Sequence, residues 1–464
     1  MKGKLWSKTS IMIIIALLLV AMPMLGACTE EKVVEVTKVV EVTKEVIVTK
    51  EVIKEVPAKQ KEPIGVVKVG TMADFTGPSA SLSTPFSEGF DAYYKWLNED
   101  QGGIEYNDPN TGEMEKVTVE HIMIDTAYKA ERAITAFERF HKEGVVAETS
   151  SCSGMHAAVA HLMKEYEIPT VNGGFFKNHY PPENSWCYGV CSTMAQQYAA
   201  TMNWLLDKWD KGEGVCGVEA DPTRKMRVGV LLSECGWGYK YFEEGFPEWL
   251  ATEADIIGPE HFPCPPTDVT TQLMKINRDN PDYIITLGVT GEYAVCFQDA
   301  KRLGITAPQI TCSGATPLDI LAVAGPEASE NHIYPLWFNT YGLAEGFATP
   351  EGVKIAEDLL IKYTPGNKAT ATGVYGVAYT MVVVEAIRMA LEEVGYDNLT
   401  GKAVKEHGLD KMDGYEAGGI TATPITFGHK DRFGPEASMV YTIRDGKIIP
   451  LTAAPIPWDV LTWE

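Results

Sequence analysis

Apolar and polar positions along the chain fall into three regimes. Residues 11–22 form an unbroken apolar run behind Lys2, Lys4 and Lys8. A run of about a dozen residues is too short to span a bilayer, which takes roughly 20, but it suits the core of a signal peptide. Residues 32–56 then alternate apolar and polar. Lys32, Lys38, Lys44 and Lys50 recur every six residues, Thr37, Thr43 and Thr49 precede the last three, and valine and isoleucine fill the gaps. β-Branched alternation favours extended chain, and a six-residue repeat drifts off any helical stripe. The pattern predicts an extended stalk closed by Pro57 and Pro63. From residue 64 onward, period-two and period-3.6 segments alternate. Strands are predicted at 66–72, 117–124, 145–148, 170–171, 227–232, 283–287 and 309–311. Helices are predicted at 87–98, 130–143, 155–166, 195–209, 239–251, 269–279 and 292–303. This rhythm predicts an α/β fold with parallel sheets and helices on both faces, in which ligands bind at the carboxyl ends of strands.

Composition sharpens the setting. Leu25-Gly26-Ala27-Cys28 follows the apolar run and resembles a bacterial lipobox, so Cys28 is expected to carry lipid and to anchor an exported protein to the cell membrane. The chain has 40 basic and 63 acidic residues. Its first 63 residues hold 10 Lys and 8 Glu, which leaves 30 basic against 55 acidic for the rest. So acidic a surface excludes nucleic acid as a partner. No stretch after the signal reads as apolar and long enough to span a membrane. About 400 residues exceed what one compact core organises, so two lobes are expected. Of nine cysteines, eight remain beside Cys28. Pairing is expected in an oxidising compartment, with Cys216 and Cys264 able to pair. The thiols at strand ends, Cys152, Cys235 and Cys312, offer metal binding as the less favoured alternative.

Chemistry concentrates in the strand-end loops. Asp74-Phe75-Thr76-Gly77-Pro78 follows the first strand, and Cys152-Ser153-Gly154 opens a helix with Ser153 at the expected N-cap. The amides beyond a cap attract a carboxylate. Asn172-Gly173-Gly174-Phe175-Phe176 pairs open amides with two rings, and Gly236-Trp237-Gly238 sets a large ring between glycines. Catalytic signatures are weak. Gly212, Gly214 and Gly217 fit GxGxxG but follow a helix instead of a strand. Ser153 and His156 share a helix face with no third partner. There is no HExxH, Walker loop or GxSxG, so no enzyme activity, cofactor or metal is expected.

These segments together resemble the periplasmic solute-binding proteins of ABC transporters, of the branched-chain amino-acid type. The markers are VGTMADFTGPSA, NEDQGGI, IMIDTAYKAERAITAFERF, SGMHAAVAHLMKEYEIPTV, WGYKYFEEGF, DVTTQLMKINRDNPDYIITLG and AKRLGITAP, in that order. The resemblance implies the type I periplasmic binding fold, two Rossmann-like lobes joined by a three-stranded hinge that close on a ligand. It implies residues 1–27 as signal peptide, 28–63 as tether, 64–193 with 337–424 as the first lobe, and 194–336 with 425–464 as the second. Implied partners are a small organic ligand and an ABC permease with its ATPase, and the protein is expected to be a monomer. The ligand-binding positions it implies are Phe75, Ser153, Gly154, Gly174, Phe176, Thr193, Trp237, Thr290 and Gly314. Thr193 and Gly314 stand where amino-acid binders carry the Asp and Glu that pair an α-ammonium. Unless Asp74, Glu234 or Glu292 substitutes, the pocket is expected to take a carboxylate or amide without that group, with Phe75, Phe176 and Trp237 around an apolar body. The alternatives are uptake of a branched-chain amino acid and a ligand-sensing receptor module.

Overall fold

The computed structural model describes residues 33–42, 45–54, 61–150, 152–172, 186–427, 434–458 and 461. Cys28, Gly174 and Phe176 lie outside these residues. The chain divides into two compact units, residues 1–61 and residues 62–464. In the first, strands β1 (Val33–Val42) and β2 (Glu45–Lys54) pair antiparallel, from Val33 opposite Lys54 to Val42 opposite Glu45. The repeat is therefore extended chain folded back on itself.

The second unit holds two sheets. The first contains β3 (Gly65–Ala73), β4 (Ile104–Asn107), β5 (Met114–Asp125), β6 (Ala147–Ser150), β7 (Thr170–Asn172) and β8 (Cys187–Gly189), in the spatial order β4-β5-β3-β6-β7-β8. All neighbours are parallel except β4 against β5. The second contains β9 (Arg227–Ser233), β10 (Asp255–Phe262), β11 (Tyr283–Leu287), β12 (Gln309–Ile310), β13 (Ile333–Leu336), β14 (Ala437–Arg444) and β15 (Lys447–Pro455). Its order is β10-β9-β11-β12-β13-β14-β15, with the first five strands parallel and the last two antiparallel. The chain passes between the sheets after β8, after β13 and before β14. The result is an α/β molecule of two lobes joined by three crossings.

Helices α1 (Ala80–Glu99), α2 (Ala130–Glu143) and α3 (Ser153–Glu165) connect the strands of the first sheet. Helices α4 (Met194–Asp210), α5 (Phe246–Glu253), α6 (Thr270–Asn277), α7 (Thr290–Leu303) and α8 (Pro317–Ala324) serve the second. After the second crossing, α9 (Glu351–Tyr363) and α10 (Ala371–Val394) return to pack on α1. By length and apolar composition α10 could cross a bilayer, contrary to the expectation from sequence, but most of it is buried among the core helices. Phe86 of α1 meets Tyr375 and Tyr379 of α10 edge-on, with ring centroids 4.5 and 5.0 Å apart.

Two helices differ from expectation. The first starts seven residues earlier than the pattern suggests, and Pro85 lies inside it. Its extra turns bury Leu82, Ser83 and Phe86, which compensates for the donor that proline removes. The helix expected over 239–251 is broken. A 3-10 turn, Gly238–Phe242, is separated from α5 by Glu244 and Gly245, both left-handed at φ 60° and 70°. The break brings Glu244 into the interior, where it is 4% exposed.

Candidate functional site

Segments that follow strands of both sheets meet, Leu82 and Tyr128 of the first lobe against Trp237 and Val289 of the second, and the crevice between them is taken as the candidate site. In the second lobe the loop after β9 carries Trp237, which is 6% exposed. Its indole Nε1 donates to Glu292 at 2.8 Å. The same carboxylate accepts from Ser233 Oγ at 2.9 Å and from the Val289 amide at 3.0 Å. Burial raises the Glu292 pKa above its ordinary value, against the lowering effect of these three donors. The ring is thereby fixed by a buried acceptor. A disulfide between Cys235 and Cys264 ties the same loop to the end of β10. Parallel register explains the pair: Ser233 lies opposite Phe262, so the two residues that follow on each strand meet.

The first lobe supplies the opposing wall. Leu82 of α1 packs against Trp237 and Val289, and Tyr128, from the loop after β5, joins them. The Tyr128 ring meets Trp237 edge-on at 6.1 Å. Its hydroxyl accepts from the Gly154 amide, at the start of α3, at 3.3 Å.

The floor is polar and lies where the chain crosses between lobes. Thr193 caps α4 through a reciprocal pair: its hydroxyl accepts from the Gln196 amide and its amide donates to Gln196 Oε1. The Thr193 hydroxyl also donates to Glu244 Oε1 at 2.8 Å. Lys240, fully buried, lies 3.5 Å from Glu243 and within Coulombic reach of Glu244. Burial pulls its pKa well below the ordinary lysine value, and the two glutamates oppose that shift. Gln197 joins the crossing to the end of β12, donating to Ser192 O and accepting from the Ser313 amide. Tyr375 of α10 lies beside Ser313, Trp337, Tyr379 and Cys191. Among the described residues, Ser192 Oγ, Gln196 Nε2, Ser313 Oγ, Trp337 Nε1 and the Tyr375 hydroxyl are buried without a partner at hydrogen-bonding distance. Buried polar atoms are nearly always partnered, so these donors are the candidates to meet ordered water or a polar ligand, with Ser313 and Trp337 also close enough to interact with the Tyr375 hydroxyl.

The positions expected from sequence divide between this crevice and elsewhere. Gly154 meets Tyr128, which packs on Trp237; Thr193 caps α4 at the first crossing; and Thr290 begins α7 beside Gly314. Thr290 donates to the Gly314 carbonyl at 3.3 Å, and a Cβ on Gly314 would run into the Gly288 carbonyl. Ser153 is the first residue of α3 and not its N-cap, a place held by Cys152. Phe75 lines a groove with Thr84, Glu88, Asp91, Met123 and Tyr363. Asp74 is engaged by its own loop, accepting from the Gly77 and Ser79 amides and the Ser79 hydroxyl. Glu234 is exposed. His156 is buried against Glu148, with Nε2 at 2.9 Å from the carboxylate.

The cysteine expectation is corrected. Cys264 pairs with Cys235 and not with Cys216, whose thiol is buried against Thr442 of β14. Cys152, Cys187, Cys191, Cys216, Cys296 and Cys312 form no disulfide and all are buried. Cys235 and Cys264 do lie within 4.8 Å of Glu292, but their sulfurs are bonded to each other and are not thiolate ligands. Tyr128, Lys240, Glu244 and Tyr375 were not singled out from sequence. Only Lys240 and Glu244 carried a signal, as charges inside an otherwise amphipathic segment.

The family model described as periplasmic binding protein matches residues 66–447. Among curated proteins, none matches the chain in sequence. Among solved structures, the chain is similar to a branched-chain amino-acid ABC transporter from Thermus thermophilus with bound valine, at 19% identity, 84% of this chain, 96% of that one and a TM-score of 0.70. It is similar to a fatty acid ABC transporter substrate-binding protein from Thermomonospora curvata, at 18% identity, 86% and 95% coverage and a TM-score of 0.66. A leucine-binding protein from Thermotoga maritima matches at 19% identity, 85% and 99% coverage and a TM-score of 0.62. At these identities the likeness is one of fold.

Proposed function

Because the chain belongs to the periplasmic binding protein family, we propose that it captures a small organic ligand between its lobes outside the cytoplasm and hands it to the permease of an ABC importer. We assign the ligand to carboxylates or amides that lack an α-ammonium. No catalytic step belongs to this function. Cys28 holds the protein to the membrane by lipid in this proposal, residues 28–63 act as tether, and the binding unit acts as a monomer.

The observation that supports the ligand class is the surplus of buried donors at the floor, where Ser313 and Trp337 also lie beside the Tyr375 hydroxyl. Ser192, Gln196, Ser313, Trp337 and Tyr375 all have a hydrogen to donate, and carboxylate or amide oxygens are the acceptors that match. The nearby acids are already engaged. Asp74 accepts three donors from its own loop, and Glu292 accepts three from its own lobe. Glu244 is bonded by Thr193 and faced by Lys240. A buried ammonium without a carboxylate of its own costs about 3–5 kcal/mol, which weakens binding by two orders of magnitude or more.

The solved relatives are named for valine, leucine and fatty acids, so the fold leaves the choice to these side chains. Calorimetric titration with benzoate and with leucine tests it. Benzoate is expected to bind and leucine to bind at least about 100-fold more weakly. Tight leucine binding would sink the assignment and favour the amino-acid alternative, in which Glu244, one hydrogen bond behind Thr193, would have to give up its present partners to meet the ammonium.

A further inference from the structure

We propose that Tyr128 is the latch of the cleft: it spans the mouth from the first lobe to Trp237 on the second and sets how fast a bound ligand leaves. The consequence for release rests on the solute-binding reading; the latch itself rests on geometry.

Three contacts join the lobes at this point. Tyr128 meets Trp237 edge-on at 6.1 Å. Leu82 packs beneath both, against Trp237 and Val289. The start of α1 comes so near α7 that a Cβ on Gly291 would stand 3.9 Å from Ser81 Oγ. Each side is built to hold its part still. On the second lobe, Glu292 and the Cys235–Cys264 bond fix the tryptophan. On the first, Asp125 accepts from the Phe75 and Ala127 amides and the Thr76 hydroxyl, and Thr126 is bonded twice to the Ala73 carbonyl.

Within that frame Ala127 and Tyr128 are both left-handed, at φ 50° and 57°. Two successive residues with side chains in that region are unfavourable and persist only where the surroundings impose them, as ligand clamps do. The imposed conformation delivers the Tyr128 hydroxyl to the Gly154 amide at 3.3 Å and its ring to the far lobe. One side chain therefore couples the first turn of α3 to the closure of the cleft. The ring contact exists only when the lobes meet, so it adds to the closed state and not to the open one.

Hydrogen exchange on the ligand-free, full-length protein tests the latch without any ligand. Tyr128→Ala is expected to speed exchange at residues 235–238 and 289–291, on the opposite lobe, by roughly threefold to tenfold, the worth of one aromatic pair. Tyr128→Phe keeps the ring and is expected to leave those amides unchanged while the Gly154 amide exchanges faster. If Tyr128→Ala fails to fold, Leu82→Ala removes the same contact from α1 and is expected to open the same amides. Unchanged exchange across the cleft in a folded variant overturns the latch. With benzoate as probe, Tyr128→Ala is expected to raise the dissociation rate by the same factor and to leave association nearly unchanged. If benzoate fails to bind the wild type, the ligand assignment falls while the exchange result still decides the latch.

Discussion

Glu292 shows what a buried side chain contributes when all its partners are known. Its oxygens accept Trp237 Nε1, Ser233 Oγ and the Val289 amide. Truncation by Glu292→Ala strands two buried N–H donors and is expected to cost about 2–5 kcal/mol of stability. Glu292→Gln can turn its oxygen toward Trp237 and Val289 and its amide toward Ser233, whose hydroxyl also accepts; urea unfolding is expected to show a change within about 1 kcal/mol. The pH dependence separates charge from shape. Burial raises the folded pKa of Glu292 above 4.5, so its contribution is fully present below the unfolded value and is lost as pH rises through the folded one. The stability of wild type relative to Glu292→Gln should therefore be greater at pH 4 than at pH 7; a gap that moves the other way contradicts the assignment. At this scale the sequence was legible where local geometry decides. Trp237 between glycines could be recognised because turns are short-range features, whereas Thr193 follows only from the resemblance and the cap expected at Ser153 falls one residue earlier, at Cys152. Glu244 against Thr193, 51 residues apart, and Tyr128 against Gly154, 26 apart, could not, since no local pattern encodes which loops meet. Cys264 illustrates the middle case: its partner follows from strand order, and strand order was not in hand.

Elements were legible in proportion to their periodicity. The helix at Ala130–Glu143 and the strand at Tyr283–Leu287 fall where the pattern places them, because each carries an unambiguous apolar face or a continuous apolar run. Strands β4 and β8, four and three residues long, are too short to show a period. The helix expected over 239–251 has helical periodicity but yields to two left-handed residues, a tertiary decision in which a buried Glu244–Thr193 bond outweighs propensity. The packing of α1 on α10 is another decision invisible to periodicity. A Cβ on Gly89 would meet the Gly373 carbonyl, and one on Gly376 would meet the Phe86 carbonyl. These glycines let the helices approach backbone to backbone, and that approach sets Tyr375 at the floor and Leu82 at the mouth. Gly376→Ala must push the helices apart. It is expected to cost about 1–3 kcal/mol as overpacking, seen as a lower urea midpoint with an unchanged slope. An unchanged midpoint would mean that the interface has room the backbone contacts do not suggest.

For the whole molecule, two lobes and three crossings make capture a question of population, because only groups on both lobes together complete the crevice. The acidic surplus suits a domain that must stay soluble and avoid anionic surfaces. The remaining design element is the address. The six-residue repeat forms a two-stranded hairpin in its own unit, and a hairpin of two strands is marginal by itself, which fits a spacer better than a binding surface. If Cys28 anchors that spacer, the binding unit is confined near its permease, and the gain is one of local concentration without new contacts. Changing Cys28 to Ala then has a divided outcome. The protein is expected to move from the membrane fraction to the soluble fraction and uptake by cells to fall, while calorimetry on the purified variant gives the wild-type ligand affinity. The division is expected because the crevice residues named among those described all lie beyond 61. A loss of affinity in the variant would mean that the first unit contributes to binding, and the passive tether would have to be abandoned.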